Sequence, residues 1–491
     1  MPADIYLAKP VKRIDWRRLF FIFLGIALFA VVYFSPPWHD AVDPMGKHFA
    51  LTREGKAALA LFAFTIVWWV FEVLPIGVTS VAVAVIQAFF LIRDPKAAFT
   101  DFMDPSVWFI FGSLVIGMAF TRTGLTQRLA YKMLSVVGDR TSMIYLGCFG
   151  MIAILTLMMA HTAVAATAFP LFMAVYGLYE EDSVPTKFGR GLFTGMAYTC
   201  GAGSIVTLLG SARAPVALGF FKDMAGREIS FFELTYYMLP LGWAMVLMLW
   251  GLMMILNKPE KKTIPGLRER VKALSARLGP MKRTELLTLV IVLAAITVMA
   301  LRSFIPALKP LDKSAIMLTC TVLFFLLKIL TVKDLEEIPW NIVLLFGGAM
   351  SIGFCLWQTG AASWIAVQWL ALFQKAPWFV FVMGIAFFVL VLTNFIMNVA
   401  AIAITLPVAL VIARYLGVAP EVIMFSSLAA AGMPFMLLIG QAPNAIAYES
   451  KQFTSGQFFM MGLPATIMIM VVLGIFVWII WPLMGMPILA H

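Results

Sequence analysis

Apolar runs of 17 residues or more follow one another along this chain, separated by short polar stretches rich in Lys, Arg, Pro and Gly. Each run is long enough to cross the roughly 30 Å core of a bilayer as a helix. The pattern predicts spans near 19–35, 57–74, 77–93, 106–123, 232–256, 285–304, 314–332, 341–358 and 461–487. Four other apolar blocks do not read as simple spans. Residues 141–179 and 377–413 are too long for one crossing and suit two half-helices each. Residues 189–221 and 421–448 read as broken helices, the first interrupted at Gly201–Ser204. The expected fold is therefore an all-α polytopic membrane protein with about 11 transmembrane helices and two re-entrant hairpins. A membrane β-barrel would show alternating segments of about ten residues instead.

The polar stretches fill in the plan. Residues 36–55 form a loop, 125–140 suit an amphipathic helix at the membrane interface, and 360–375 are mixed. Residues 257–284 are the one long polar segment inside the chain, with nine Lys or Arg against Glu260 and Glu269. They read as a solvated, cytoplasmic linker between two halves.

Composition supports this picture. Of 491 residues, 62% are hydrophobic and 12% charged, too little polar surface for a soluble fold of this length. The net charge of +11 would suggest nucleic acid in a soluble protein. Here the basic residues lie between apolar segments and report orientation instead, so no nucleic-acid partner is expected. Lys9, Lys12, Arg13, Arg17 and Arg18 place the N-terminus in the cytoplasm, and an odd number of crossings places the C-terminus outside. No secretory signal pattern precedes the first span. Cys148, Cys200, Cys320 and Cys355 fall in separate apolar segments and read as packing residues.

The second half repeats the first. VWFIFGSLVIGMAFTRTGL (107–125) resembles NIVLLFGGAMSIGFCLWQTGA (341–361). Thr156, Ala163, Ala166 and Pro170 match Thr393, Ala400, Ala403 and Pro407 at a single offset, and TLLGSARAP (207–215) matches LLIGQAPNA (437–445). The expected organisation is a segment 1–56 with the first span, a first repeat 57–256, the linker 257–284 and a second repeat 285–488. If each hairpin enters and leaves on one side, each half has five crossings and the halves are oppositely oriented. That is the inverted-repeat plan of secondary transporters, with the substrate at the repeat interface.

These motifs resemble the divalent anion/sodium symporter family, which includes bacterial dicarboxylate and citrate transporters. The resemblance covers about 19–487 and rests on the paired hairpins, the two broken-helix loops, WVFEVLP (69–75) and APNAI (442–446). It implies an elevator-type homodimer in the bacterial inner membrane, with a scaffold and a moving transport domain. The cargo is a small organic anion, most simply a di- or tricarboxylate, coupled to Na⁺. The family's hairpin tips carry Ser-Asn-Thr; the matching triplets here are Ala160-His161-Thr162 and Met397-Asn398-Val399.

Carried over, the resemblance places substrate at His161, Thr162, Asn398 and Val399, and at Pro443 and Asn444 of the second loop. One Na⁺ falls at Thr393, Asn398 and the carbonyl of Ala431, and another at Thr156 and the carbonyls of Gly201 and Gly203. The Thr393 set is complete in oxygen ligands. The Thr156 set would also use position 161, where His161 supplies no oxygen, so that set is not. Where the family has Pro-Pro-Asn or Gly-Pro-Asn, this chain has Ala212-Arg213-Ala214, and Arg213 is an intramembrane charge and so a functional candidate. Arg213, with a protonated His161, would supply the positive charge that Na⁺ supplies in relatives. A titrating His161 would allow proton coupling.

A proton-coupled carrier or exchanger of sulfate, sulfonates or monocarboxylates fits the altered tips. An arsenite or cation/proton permease would want acids inside the membrane, and 141–178 and 377–413 contain none. An enzyme would need a cluster of reactive groups, whereas His39, His48, His161 and His491 are scattered. No cofactor is expected; the partners are the anion, its coupling ion, lipid and a second copy of the chain.

Overall fold

Helices account for nearly all ordered structure in the computed structural model, which describes residues 16–42, 48–71, 73–134, 138–179, 185–302, 304–373 and 376–489. Lys9, Lys12, Arg13 and Glu72 of the WVFEVLP motif lie outside the described residues. Arg17 and Arg18 open the first helix, Trp16–Phe34. Among the described residues nine helices are long and apolar enough to cross a membrane.

Two expected spans are shorter than the rest. Ile76–Phe89 and Lys313–Leu326 have 14 residues each, or roughly 21 Å. Both end in the same way. Leu91 and Lys328 enter the left-handed region at φ 50° and 55°. The next amide then reaches back five residues, Ile92 N to Gln87 O at 3.0 Å and Ile329 N to Phe324 O at 2.8 Å. This reverse turn stops the helix while capping its last carbonyls.

The apolar blocks resolve into helical pairs. Thr141–Leu155 and His161–Tyr179 form one hairpin, and Trp378–Phe395 and Asn398–Tyr415 the other. Pro170 and Pro407 sit inside the second helix of each, equally far from His161 and Asn398. The broken helices are Lys187–Gly203 with Arg213–Ala225, and Pro420–Ala431 with Ala442–Tyr448. The first interruption covers 204–212, so it begins after the glycines of GAGS rather than at them. Those glycines serve close packing: a Cβ on Gly201 would come within 2.6 Å of the Gly432 carbonyl, and one on Gly203 would strike the Thr156 hydroxyl.

These eight helices form the centre of the molecule. Lys187–Gly203 is buried almost throughout, as is Asn398–Tyr415, and their Gly, Ala and Thr content lets backbones approach. Pro105–Thr123 and Trp340–Gln358 pack against them. The four cysteines are free and buried.

The linker differs from the expectation of a plain solvated segment, because Leu267–Arg277 within it is a helix that packs on Leu125–Leu134. Its charged residues are good helix formers, and charge density alone does not break a helix. Arg128 fastens this region. Its guanidinium pairs with buried Glu285 at 2.5 Å and donates to the carbonyls of Gly279 and Pro280 at 2.9 and 3.2 Å.

Candidate functional site: two hairpin tips facing two interrupted helices

Each hairpin tip is tied to the interruption of the broken helix that follows it. In the first, the backbone N–H and Nδ1 of His161 both reach the Gly210 carbonyl, at 2.9 and 3.0 Å. A carbonyl only accepts, so Nδ1 carries a proton. The Thr207 hydroxyl donates to the Leu157 carbonyl at 3.0 Å, and Thr156 donates to Ala153 O at 2.8 Å. In the second tip, the Thr393 hydroxyl donates to the Ala431 carbonyl at 3.1 Å. The Asn394 side-chain oxygen accepts from the amides of Met436 and Leu437 at 2.9 and 3.3 Å.

The end of Lys187–Gly203 also meets the second interruption, at Gly201 and Gly432. Gln441 bridges them: its amide nitrogen donates to Ala197 O at 3.2 Å and to the Asn444 side-chain oxygen at 3.0 Å. Asn444 in turn donates to Pro434 O and Leu437 O at 2.9 and 3.0 Å.

Arg213 lies at this meeting point. It is fully buried, and no described carboxylate pairs with it. Nη1 donates to the Ser211 hydroxyl at 2.7 Å and Nη2 to the Ser204 hydroxyl at 2.8 Å, while Nε has no partner among the described residues. Ser204 passes the contact on, donating to the Gly201 carbonyl at 2.8 Å. A Cβ on Gly432 would come within 2.7 Å of Nη2. The guanidinium thus sits between the C-terminal ends of Lys187–Gly203 and Pro420–Ala431, where helix dipoles favour positive charge.

A cavity of about 430 Å³ lies in front of the tips. His161, Thr162, Asn398, Val399, Ser211 and Gln441 are on its lining, from both tips and both interruptions. Leu114, Met118, Ile342, Phe346 and Met397 add apolar surface to the lining.

The residues expected at the site therefore divide. His161, Thr162, Asn398 and Val399 stand together on the cavity wall. Thr156, Gly201 and Gly203 are gathered behind the first tip, and Thr393 and Ala431 behind the second. Arg213 is not on the wall but behind Ser211, because its side chain runs back toward Ser204. Pro443 and Asn444 are also off the wall, Asn444 being used to brace the second interruption. Four polar participants were not singled out in sequence: Ser204, Ser211, Asn394 and Gln441. Their residue types are common, and only Gln441 and Ser211 lie within the repeated loop motif.

A pair of helical hairpins whose tips are bonded to two interrupted helices, with a cavity in front of both, is the architecture of a secondary transporter, not of an enzyme. The model of the sodium:sulfate symporter transmembrane region matches residues 26–487. The chain belongs to that family. It is 24% identical over 454 residues to the sodium-dependent dicarboxylate transporter SdcS of Staphylococcus saprophyticus, covering 88% of this chain and 87% of that one. The SdcS of Staphylococcus aureus is 25% identical over 498 residues, covering 95% and 92%. Among solved structures, the YdaH transporter of Alcanivorax borkumensis superposes with a TM-score of 0.58 over 96% of this chain and 98% of that one. Its sequence identity is 13%, so this likeness speaks to fold alone.

Proposed function

We propose that the chain is a Na⁺-coupled carrier of small dicarboxylates that works by alternating access. The observation that carries this is the single cavity walled by both hairpin tips and both interruptions. The helices starting at His161 and Asn398 bring their N-terminal ends to it, which favours an anion. Leu114, Met118, Ile342 and Phe346 on the lining suit a cargo with a carbon skeleton better than bare sulfate. The dicarboxylate transporters among the relatives support the same cargo.

Na⁺ binds at the second tip, between the Thr393 hydroxyl, Asn398 and the Ala431 carbonyl. At the first tip the resident charge of Arg213 takes its place, relayed to Gly201 O through Ser204. One Na⁺ then moves per cycle. The chain divides into 1–56, the repeats 57–256 and 285–488 with opposite orientation, and the linker 257–284. The hairpins and broken helices move as one body against the remaining spans, in a homodimer of the bacterial inner membrane. The N-terminus lies in the cytoplasm and the C-terminus outside.

Reconstitution in liposomes tests this. Labelled succinate, citrate, sulfate and a sulfonate are offered under separate Na⁺ and pH gradients. Succinate uptake is expected to follow the Na⁺ gradient with first-order dependence on Na⁺ and to be indifferent to pH. Uptake that follows the pH gradient and ignores Na⁺ would replace Na⁺ by a proton, with His161 as the titrating group.

A further inference from the structure

At the mouth of the same cavity stand three charges from two elements. Arg122 is in the last turn of Pro105–Thr123, and Asp334 and Glu337 belong to or follow the short helix Val332–Glu336. Arg122 and Glu337 both line the cavity. Arg122 Nε donates to Asp334 Oδ1 at 2.6 Å, and Nη2 pairs with Glu337 Oε2.

The two acids are held very differently. Asp334 is 10% exposed, and its other oxygen accepts from the Thr331 amide and hydroxyl, both at 2.7 Å. Burial opposes its ionisation, but the hydrogen bonds from Thr331 and Arg122 outweigh it and hold the carboxyl below the ordinary carboxylate range. Asp334 is therefore a fixed counter-ion. Glu337 is 61% exposed, and Arg122 is its one ionic partner among the described residues. An ion pair this exposed is easily exchanged.

We propose that Arg122 captures a carboxylate of the incoming substrate at the cavity mouth, and that Glu337 is a stand-in carboxylate which the substrate displaces. The proposal rests on the carboxylate cargo argued above. The swap is like for like: Nη2, which now donates to the Glu337 carboxylate, donates instead to a substrate carboxylate. Asp334 keeps Nε throughout, so Arg122 stays aimed into the cavity while Nη2 changes partner. Glu337 and a dianion repel each other, which makes the two occupants mutually exclusive. Released Glu337 remains in water, so displacing it buries no charge.

A merely structural ion pair and a capture site predict different signs. If the pair only braces the mouth, removing either partner impairs transport. If Glu337 competes with substrate, its loss helps while loss of Arg122 hurts. Initial rates of labelled succinate uptake into proteoliposomes would be compared for the wild type, Glu337→Gln, Arg122→Gln, Arg122→Lys and the double variant. Glu337→Gln is expected to lower KM about threefold or more, and Arg122→Gln to raise it about tenfold, with maximal rate little changed in either. Arg122→Lys should fall between, retaining charge without the fork. The double variant should match Arg122→Gln alone, since Glu337 then has nothing to compete for. The KM of the wild type should also rise with ionic strength more steeply than that of Arg122→Gln. Parallel increases in KM for Glu337→Gln and Arg122→Gln, or no change in either, would overturn the proposal. If the wild type itself moves no carboxylate, the cargo assignment fails first and this proposal with it.

Discussion

Arg213→Ala is expected to lower anion uptake by roughly a hundredfold or more while the protein still elutes as a folded species from size exclusion. A hundredfold corresponds to about 2.7 kcal/mol. An ionised Arg within a membrane helix costs roughly 2.5–3.5 kcal/mol even on lenient scales, so the fold loses little by giving it up. The site loses much more. Ser204 and Ser211 each lose a charged donor, and the Gly201 carbonyl loses the positive field relayed through Ser204. Ser211 is on the cavity wall, and with Arg213 donating to its oxygen, its own proton is free to point at a bound carboxylate. Arg213→Lys should recover part of the activity, because an ammonium keeps the charge but cannot span both serines in the fixed fork. Wild-type rates in a folded Arg213→Ala protein would contradict the role assigned to this residue.

Thr393→Val should raise the Na⁺ concentration for half-maximal uptake about tenfold, equivalent to about 1.4 kcal/mol. The two side chains have nearly the same shape, so the packing behind the second tip survives. What disappears is one hydroxyl, which lies 3.1 Å from the Ala431 carbonyl and is buried. Na⁺ prefers a cage of oxygens, and a methyl group in the first shell is a lost ligand. Rates measured at saturating Na⁺ should return close to the wild type. The matching change at the first tip, Thr156→Val, should leave the Na⁺ dependence as it is if Arg213 fills that role as proposed. An unchanged Na⁺ requirement in Thr393→Val would place the ion elsewhere.

The spans and the two helical hairpins were legible because burial in a membrane writes itself into long apolar runs, and the like placement of Pro170 and Pro407 in their helices was legible in the single offset that also links Thr156 to Thr393. The exact start of the first interruption was not. Gly201 and Gly203 look like helix breakers, yet they are helical and glycine because Gly432 and Thr156 press against them. That requirement arises from residues far away in sequence. The direction of Arg213 was equally hidden. Its position beside the first tip followed from the motif, but whether the side chain faced the cavity or Ser204 depended on packing. The charges at the mouth were missed for the same reason, since Arg122 and Glu337 are joined only by the fold. The helix Leu267–Arg277 was obscured by its charge density.

The buried guanidinium also has an electrical consequence. On the proposed stoichiometry, a dicarboxylate, one Na⁺ and Arg213 sum to zero, so the loaded carrier crosses the membrane field at no electrical cost. The empty carrier keeps the Arg213 charge, and returning it outward against an inside-negative potential costs about 2.3 kcal/mol per 100 mV. Voltage thus falls on the empty leg alone. Swapping one dicarboxylate for another avoids that leg entirely, which biases the protein toward counterflow over net accumulation. Vesicles preloaded with succinate should exchange it at a rate indifferent to an imposed potassium diffusion potential, whereas uptake into empty vesicles should slow as their interior is made negative.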